Sequence, residues 1–257
     1  GGMHLLVTET GPDGLADHMN VITVRKVDTI ATSPSDVDAP DLTLAGNAYA
    51  AIDGNQIDVF QFRADGEVRQ VAQHPRADGT TEFTDRRGDW SMIDDQTIRI
   101  WLEGQDAPED AYVVAGLGQD EMLVQTPEDI AAGTERFVTR IVPVEMDAVT
   151  GGYDLLDESG AIGAESVQMF DDFTGQYWVD GLLDSTFDWS LDEHGAVVIC
   201  LRSDDSFNVR TLTLRMLAGS AAGQAMRFIA ERRVNGLLAA DEETGRAMTV
   251  LTVLHEG

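Results

Sequence analysis

Short stretches in which apolar and polar residues alternate set the pattern of this chain. In "TIRIWL" the apolar Ile98, Ile100 and Leu102 stand two apart, and "VVICL" repeats the spacing with Val197, Ile199 and Leu201. A period of two places such positions on one face of a strand, so both sets are assigned to the core. The same landmark precedes each strand: Asp89-Trp90-Ser91 recurs without a gap as Asp188-Trp189-Ser190, 99 positions later. Between landmark and strand lies a four-residue segment, "IDDQ" at 93–96 or "DEHG" at 192–195. Strand, tight turn and strand make a β-hairpin, with Gly195 able to supply the positive φ that a short turn often needs.

Other echoes extend the repeat. "AAGTERFVTR" from Ala131 resembles "AAGQAMRFIAER" from Ala221, agreeing again at Arg136-Phe137 and Arg227-Phe228. Upstream, "DVFQFRADG" and "GQYWVDG" each run an aromatic strand into an Asp-Gly turn, and the first copy then carries what reads as an insertion, "EVRQVAQHPRADGTTEF". The pattern predicts an all-β chain of two tandem antiparallel β-barrel or β-sandwich units, residues 44–150 and 151–257. Residues 1–43 supply an N-terminal strand at "NVITVRKV" and a polar linker, "TSPSDVDAPD". Helix signals compete in two places: Thr126 as N-cap with Pro127 behind it, and the segment from Ser220 to an Asn-Gly end. Both carry an internal glycine and finish in β-branched or aromatic residues, which predicts at most a short helical turn before a strand.

Composition narrows the environment. With 257 residues and 43% of them hydrophobic, the chain can bury a substantial core. No apolar run approaches the roughly 20 residues that cross a bilayer as a helix, so membrane insertion is not expected. Asp+Glu 46 against Lys+Arg 17 gives a net charge of -29, which repels phosphate backbones and anionic lipid over a Debye length of roughly 8 Å and makes nucleic acid a poor partner. Two origins of this acidity fit equally: adaptation to high salt, or a genome rich in Asp, Ala, Gly and Arg codons. The two glycines ahead of Met3 read as an addition, and a native start at Met3 implies a cytoplasmic protein; a removed signal peptide implies a periplasmic or secreted one. The single cysteine, Cys200, excludes an intramolecular disulfide and a cysteine-based metal cluster.

The succession of short strands, Asp-Gly turns, a mid-unit "GDWS" and a late "F-x-x-R" resembles the lipocalin-like (calycin) antiparallel barrels, present twice. That resemblance implies a small barrel holding one hydrophobic ligand, or a filled barrel used as scaffold.

Trp90 and Trp189 occur at the same point of both copies, which marks them as core plugs with hydrogen-bonded indoles rather than ligand contacts. Function is expected where the copies differ. Opposite the core face the first unit carries Arg99 and Trp101 where the second has Val198 and Cys200. Two apart on a strand, Arg99 and Trp101 point the same way and are candidates to grip an anionic or aromatic ligand, or to cover a seam or an oligomer interface. Tyr112, Tyr177 and Trp178 are further ligand candidates. Sequential acidic pairs such as Asp94-Asp95 point to opposite faces of a strand and make poor catalytic dyads. His194 at a hairpin tip and His74 in the insertion are expected to be exposed, and no metal spacing joins the histidines. The calcium-like stretch "LLDESGAIGAES" has Leu155 and Ser166 at the positions where an EF-hand needs its first and last ligands. Neither metal nor cofactor is therefore expected. The leading expectation is a non-enzymatic tandem β-barrel module binding a small molecule or a protein partner, and able to form a homo-oligomer. The alternatives are a barrel hydrolase or isomerase using Asp/Glu and Arg in a cavity, and a structural assembly subunit.

Overall fold

The structure, a computed structural model, describes residues 44–116, 120–157, 160–201, 208–219, 225–242 and 244–256, and the backbone of strands at 3–10 and 16–24. Strands β1 (Met3–Thr10) and β2 (Ala16–Val24) form an antiparallel hairpin of their own, with Met3 opposite Val24. This hairpin falls in the first of two compact units, 1–37 and 38–257. The polar linker at 32–41 lies outside the described residues.

Residues 48–142 supply β3 (Ala48–Asp53), β4 (Gln56–Phe62), β5 (Glu67–Pro75), β6 (Thr81–Met92), β7 (Thr97–Leu102), β8 (Glu109–Gly116), β9 (Glu121–Gln125) and β10 (Arg136–Val142). Each pairs antiparallel with the next, and β10 returns to β3 from Val138↔Ala51 to Ile141↔Ala48. The ring is closed, so neither edge is left unpaired. A second ring follows with β11 (Gly151–Leu156), β12 (Ile162–Met169), β13 (Thr174–Val179), β14 (Leu182–Leu191), β15 (Val197–Leu201), β16 (Arg210–Leu217), β17 (Met226–Val234) and β19 (Met248–Glu256). It closes where β19 meets β11, with Gly152 opposite Glu256, while the two-residue β18 (Leu237–Leu238) hooks onto the end of β17. The chain is thus two tandem antiparallel barrels. The helical content expected near Thr126 is α1 (Pro127–Ala132), capped by Thr126 and Asp129 in a reciprocal box and stopped by Gly133 at φ 69°. Of the segment from Ser220 to Gly236, residues 220–224 lie outside the described residues, and Met226–Val234 is the strand β17 rather than a helix.

The "DWS" echo marks equivalent positions. Trp90 and Trp189 lie on the fourth strand of their barrels, and each closes the turn between the second and third strands. The Trp90 backbone N–H reaches Gly66 O at 2.8 Å and its indole reaches Arg63 O at 3.0 Å. Trp189 donates its backbone N–H to Phe173 O at 2.8 Å, and its indole N–H faces Phe170 O at 3.1 Å and Thr174 O at 3.0 Å. A nearby crossing is built in opposite senses. In the first barrel Val68 lies opposite Gly88, and in the second Gly175 lies opposite Phe187. A Cβ on Gly88 would run into the backbone of Trp101, and one on Gly175 into the Phe187 ring. In the second barrel the Phe187 ring covers its small partner, whereas in the first the backbone of the next strand closes over Gly88.

The other echoes mislead. β10 is the eighth strand of its barrel and β17 the seventh, so Arg136-Phe137 and Arg227-Phe228 are not equivalent. Their faces are reversed as well: Phe137 is exposed at 62% and Phe228 buried at 8%. The Arg136 guanidinium holds Asp129 at 3.0 Å. "DVFQFRADG" belongs to a second strand and "GQYWVDG" to a third, an error that generic Asp-Gly turns invite. The supposed insertion is β5, a turn and the start of β6.

Both barrels share a seam. The outer faces of β3, β4 and β5 present Ala50, Ile57, Val59 and Val71, which pack on Leu217, Ile229 and Met248 from the outer faces of β16, β17 and β19. A short ladder, Ile141↔Leu217 and Val142↔Met216, joins the two rings directly. Within the seam, Gln73 is fully buried and bonds through both ends of its amide: Nε2 to Asn55 O at 2.9 Å and Met248 O at 3.0 Å, and Oε1 from the N–H groups of Ala247 at 2.9 Å and Met248 at 2.8 Å. Alternating charges run alongside. Arg69 and Arg233 hold Asp85 at 2.8 Å and 2.7 Å, Arg233 also binds Glu231, and Arg215 stands 3.7 Å from Glu231 and 3.8 Å from Asp192. Burial alone would raise the Asp85 carboxyl, but the two guanidinium groups hold it down to about 2. Replacing Gln73 by Ala would strand the Ala247 and Met248 N–H groups in an apolar seam. We expect Gln73→Ala to cost about 2–4 kcal/mol, read as a lower urea midpoint at unchanged slope.

Candidate functional site

Each barrel encloses a cavity, and the two differ in chemistry. In the second barrel the inward faces of β12, β14, β15, β16, β17 and β19 enclose about 610 Å³. Phe187, Val197, Ile199, Leu214, Met226 and Phe228 make its apolar wall. The registers put Met169, Trp189, Val197 and Met226 at one end, where a 3-10 turn (Met146–Ala148) brings Val144 and Val149 against them as a floor. Tyr153 ties that floor down, its hydroxyl directed at Ala148 O at 2.8 Å and Val149 O at 2.9 Å, and burial pushes the phenol up to about 12. The opposite end is polar: Glu165, Asp184, Arg232, Asp241 and Arg246 line the mouth. Arg232 donates to Ala240 O at 2.9 Å and to Asp241 at 3.1 Å, fixing the loop beside the opening. Ile162, Leu182 and Leu183 stand exposed at the same end of the strands.

The lumen of the first barrel measures about 510 Å³. Its floor is apolar and aromatic. Phe60 and Phe62 stack at 6.2 Å and 17°, and Trp90 meets Phe62 edge-on at 5.3 Å. Its mouth gathers ionisable groups from β4, β5, β6, β8, α1 and β10. Asp58 is buried there, accepting from Gln70 Nε2 at 2.9 Å and contacting His74 Nε2 at 2.9 Å. That bond, with the Asp58 charge opposing the cost of burial, raises the His74 imidazole above its usual value. Desolvation likewise raises the Glu109 carboxyl; Glu128, Asp58 and Asp129 add to the rise and Arg136 opposes it.

The residues singled out in the sequence do not converge. Arg99 and Trp101 do share a face, but it is the outer wall of the first barrel. Arg99 forms a two-pronged pair with Asp110 at 2.7 and 2.8 Å, and Trp101 is 53% exposed, donating to Gln105 O at 3.2 Å. Tyr112 lies opposite Thr97 next to them on β8. Tyr177 lines the second lumen, where burial and then the neighbouring Glu165 raise its phenol. Trp178, next along β13, lines a separate small hollow with Tyr153 and Gln168. His74, expected to be exposed in an insertion, sits instead on β5 at the mouth of the first lumen. The sequence signal for this site was the alternation Asp58, Phe60, Phe62 and Gln70, Ala72, His74, which turns charged and apolar groups to the same inner face. Among the described residues, no group of three or more His, Cys, Asp or Glu could hold a metal ion, and no helix is long and apolar enough to cross a membrane.

No family model, no curated protein and no solved structure matches this chain.

The raised His74 predicts a pH signature. A base that binds its proton more tightly in the folded state stabilises the fold below the unfolded imidazole value near 6.5, and this contribution fades as pH rises through the higher folded value. Urea midpoints of the parent and His74→Gln should therefore differ most below about pH 6.5 and converge at alkaline pH.

Proposed function

We propose that this protein is a non-enzymatic binding module, lipocalin-like in build, whose second barrel holds one small lipophilic molecule. The observation that carries this reading is the apolar wall around about 610 Å³, closed by a floor at one end and rimmed by polar groups at the other. A cavity of this size suits a drug-sized or short-chain ligand, and burying apolar ligand surface contributes about 25 cal/mol per Å². The polar rim suits a ligand with one hydrophilic end. Arg232 and Arg246 stand among the carboxylates there, so the rim offers both donors and acceptors. Exposed Ile162, Leu182 and Leu183 extend the apolar character to the outside, where a lipophile would first touch the protein.

The test is titration with the neutral lipophile N-phenyl-1-naphthylamine, whose fluorescence rises in apolar surroundings. We expect saturable enhancement at one site per chain, abolished by Leu214→Trp and by Ile199→Trp while circular dichroism and melting temperature show a folded barrel. No saturable enhancement, or enhancement untouched by either lumen-filling change, would overturn the reading.

A further inference from the structure

We infer that the lumen of the first barrel is a second binding site, selective for an organic cation: an amine with an aromatic or short apolar body. The cavity of about 510 Å³ has two chemically distinct halves, and each constrains the ligand. Phe60, Phe62, Ile98, Ile100 and Val138 build a floor with little polarity, which suits a ring or a short hydrocarbon. Asp58, Glu82, Glu109, Glu128 and Asp129 reach its mouth against Arg86, Arg136 and His74. Internal pairing uses up much of this set: Arg136 holds Asp129 at 3.0 Å, Arg76 holds Glu82 at 2.9 Å from outside, and His74 lies 2.9 Å from Asp58. Glu109 and Glu128 make no ion pair among the described residues and neither does Arg86, which leaves two carboxylates against one guanidinium at the mouth. A bound ammonium group would supply the second positive charge and the donors, with its apolar body against the aromatic floor. A carboxylate ligand would instead meet like charges in a partly desolvated mouth, and a neutral lipophile gains more in the second barrel, whose wall is apolar nearly to the rim.

Three indoles that differ only in their head group make the test: tryptamine, tryptophol and indole-3-acetate, each titrated calorimetrically at physiological salt. We expect tryptamine to bind one site per chain and more tightly than either of the others, with indole-3-acetate weakest. Glu109→Gln should weaken tryptamine roughly tenfold, about 1.4 kcal/mol. Ile100→Trp, which fills the floor, should remove binding. Two controls separate this site from general attraction to an acidic protein and from the second barrel: Glu103→Gln, on an exposed carboxylate outside the lumen, and Leu214→Trp should both leave tryptamine unchanged. The inference fails if tryptamine binds no tighter than indole-3-acetate, if Glu103→Gln weakens it as much as Glu109→Gln, or if Ile100→Trp leaves it intact. It also fails if Leu214→Trp removes it, which would place the amine in the second barrel and leave the lipophile reading standing.

Discussion

Two-sided burial at the seam is the constraint on which the rest depends. A strand in a closed barrel turns one face to the lumen and the other outward, and over most of each ring the outward face meets water. On β3, β4, β5, β16, β17 and β19 it meets the other barrel instead, through Ile57, Val59 and Val71 on one side and Leu217, Ile229 and Met248 on the other. These strands cannot afford free polar groups, since backbone and side chains alike lose their water there. Gln73 meets the demand with four bonds, and the row from Asp85 to Arg215 nearly does. Arg215 Nε and Glu231 Oε2 are the buried exceptions, facing each other at 3.7 Å without hydrogen-bond partners. Charge replaced by apolar surface often packs at least as stably, so this row is better understood as fixing how the barrels register than as strengthening their contact.

The same constraint explains what could be read from the sequence. The inner faces of β7 and β15 are legible because their outer faces are partly solvated: Ile98, Leu102, Val197 and Ile199 are buried and Ile100 half-buried, while Leu201, assigned to the core by the same period, is 38% exposed at the strand's end. The paired indoles were legible because their neighbours are alike in both copies. The seam strands were not, because burial on both faces blurs alternation in "IDVFQF" and "MRFIAERRV". Arg136-Phe137 and Arg227-Phe228 share two residue types but lie on the eighth and seventh strands of their barrels, a difference that only strand pairing reveals. The lumen mouth of the first barrel was missed for another reason. Asp58 and His74 are 16 positions apart and meet only because β4 and β5 pair side by side, and a hydrophilic stretch holding Pro75 and an Asp-Gly turn resembles a loop. Arg99 and Trp101 share a direction, as the strand period requires, and pairing with β6 and β8 turns that direction to the outer wall.

A single architecture thus carries two interiors of unlike polarity. In both, the Trp-bearing end is sealed and the opposite end is lined by ionisable side chains, so polarity grades along each barrel axis. The difference lies in how deep the polar groups reach. At the mouth of the first barrel Asp58 is buried with Gln70 and His74 bound to it, whereas Phe187, Leu214 and Phe228 keep the second apolar until Arg232 and Glu165. The acidic composition bears on both spaces: five carboxylates stand with two arginines and a histidine around the first opening, and three stand with two arginines around the second.

The reversed crossing beside each tryptophan limits how the two copies could exchange parts. Val68 faces Gly88 in one, and Gly175 faces Phe187 in the other, so each strand is cut to fit its own neighbour. A chimera carrying the third strand of the first barrel into the second would set a valine against Phe187, and the reciprocal graft would leave glycine facing glycine. One graft is overfilled and the other hollow. Moving third and fourth strands together does not lift the limit, because the second barrel's pair would bring Phe187 to the place where any Cβ meets the Trp101 backbone of the fifth strand; the smallest piece that could enter the first barrel is therefore the run of third, fourth and fifth strands.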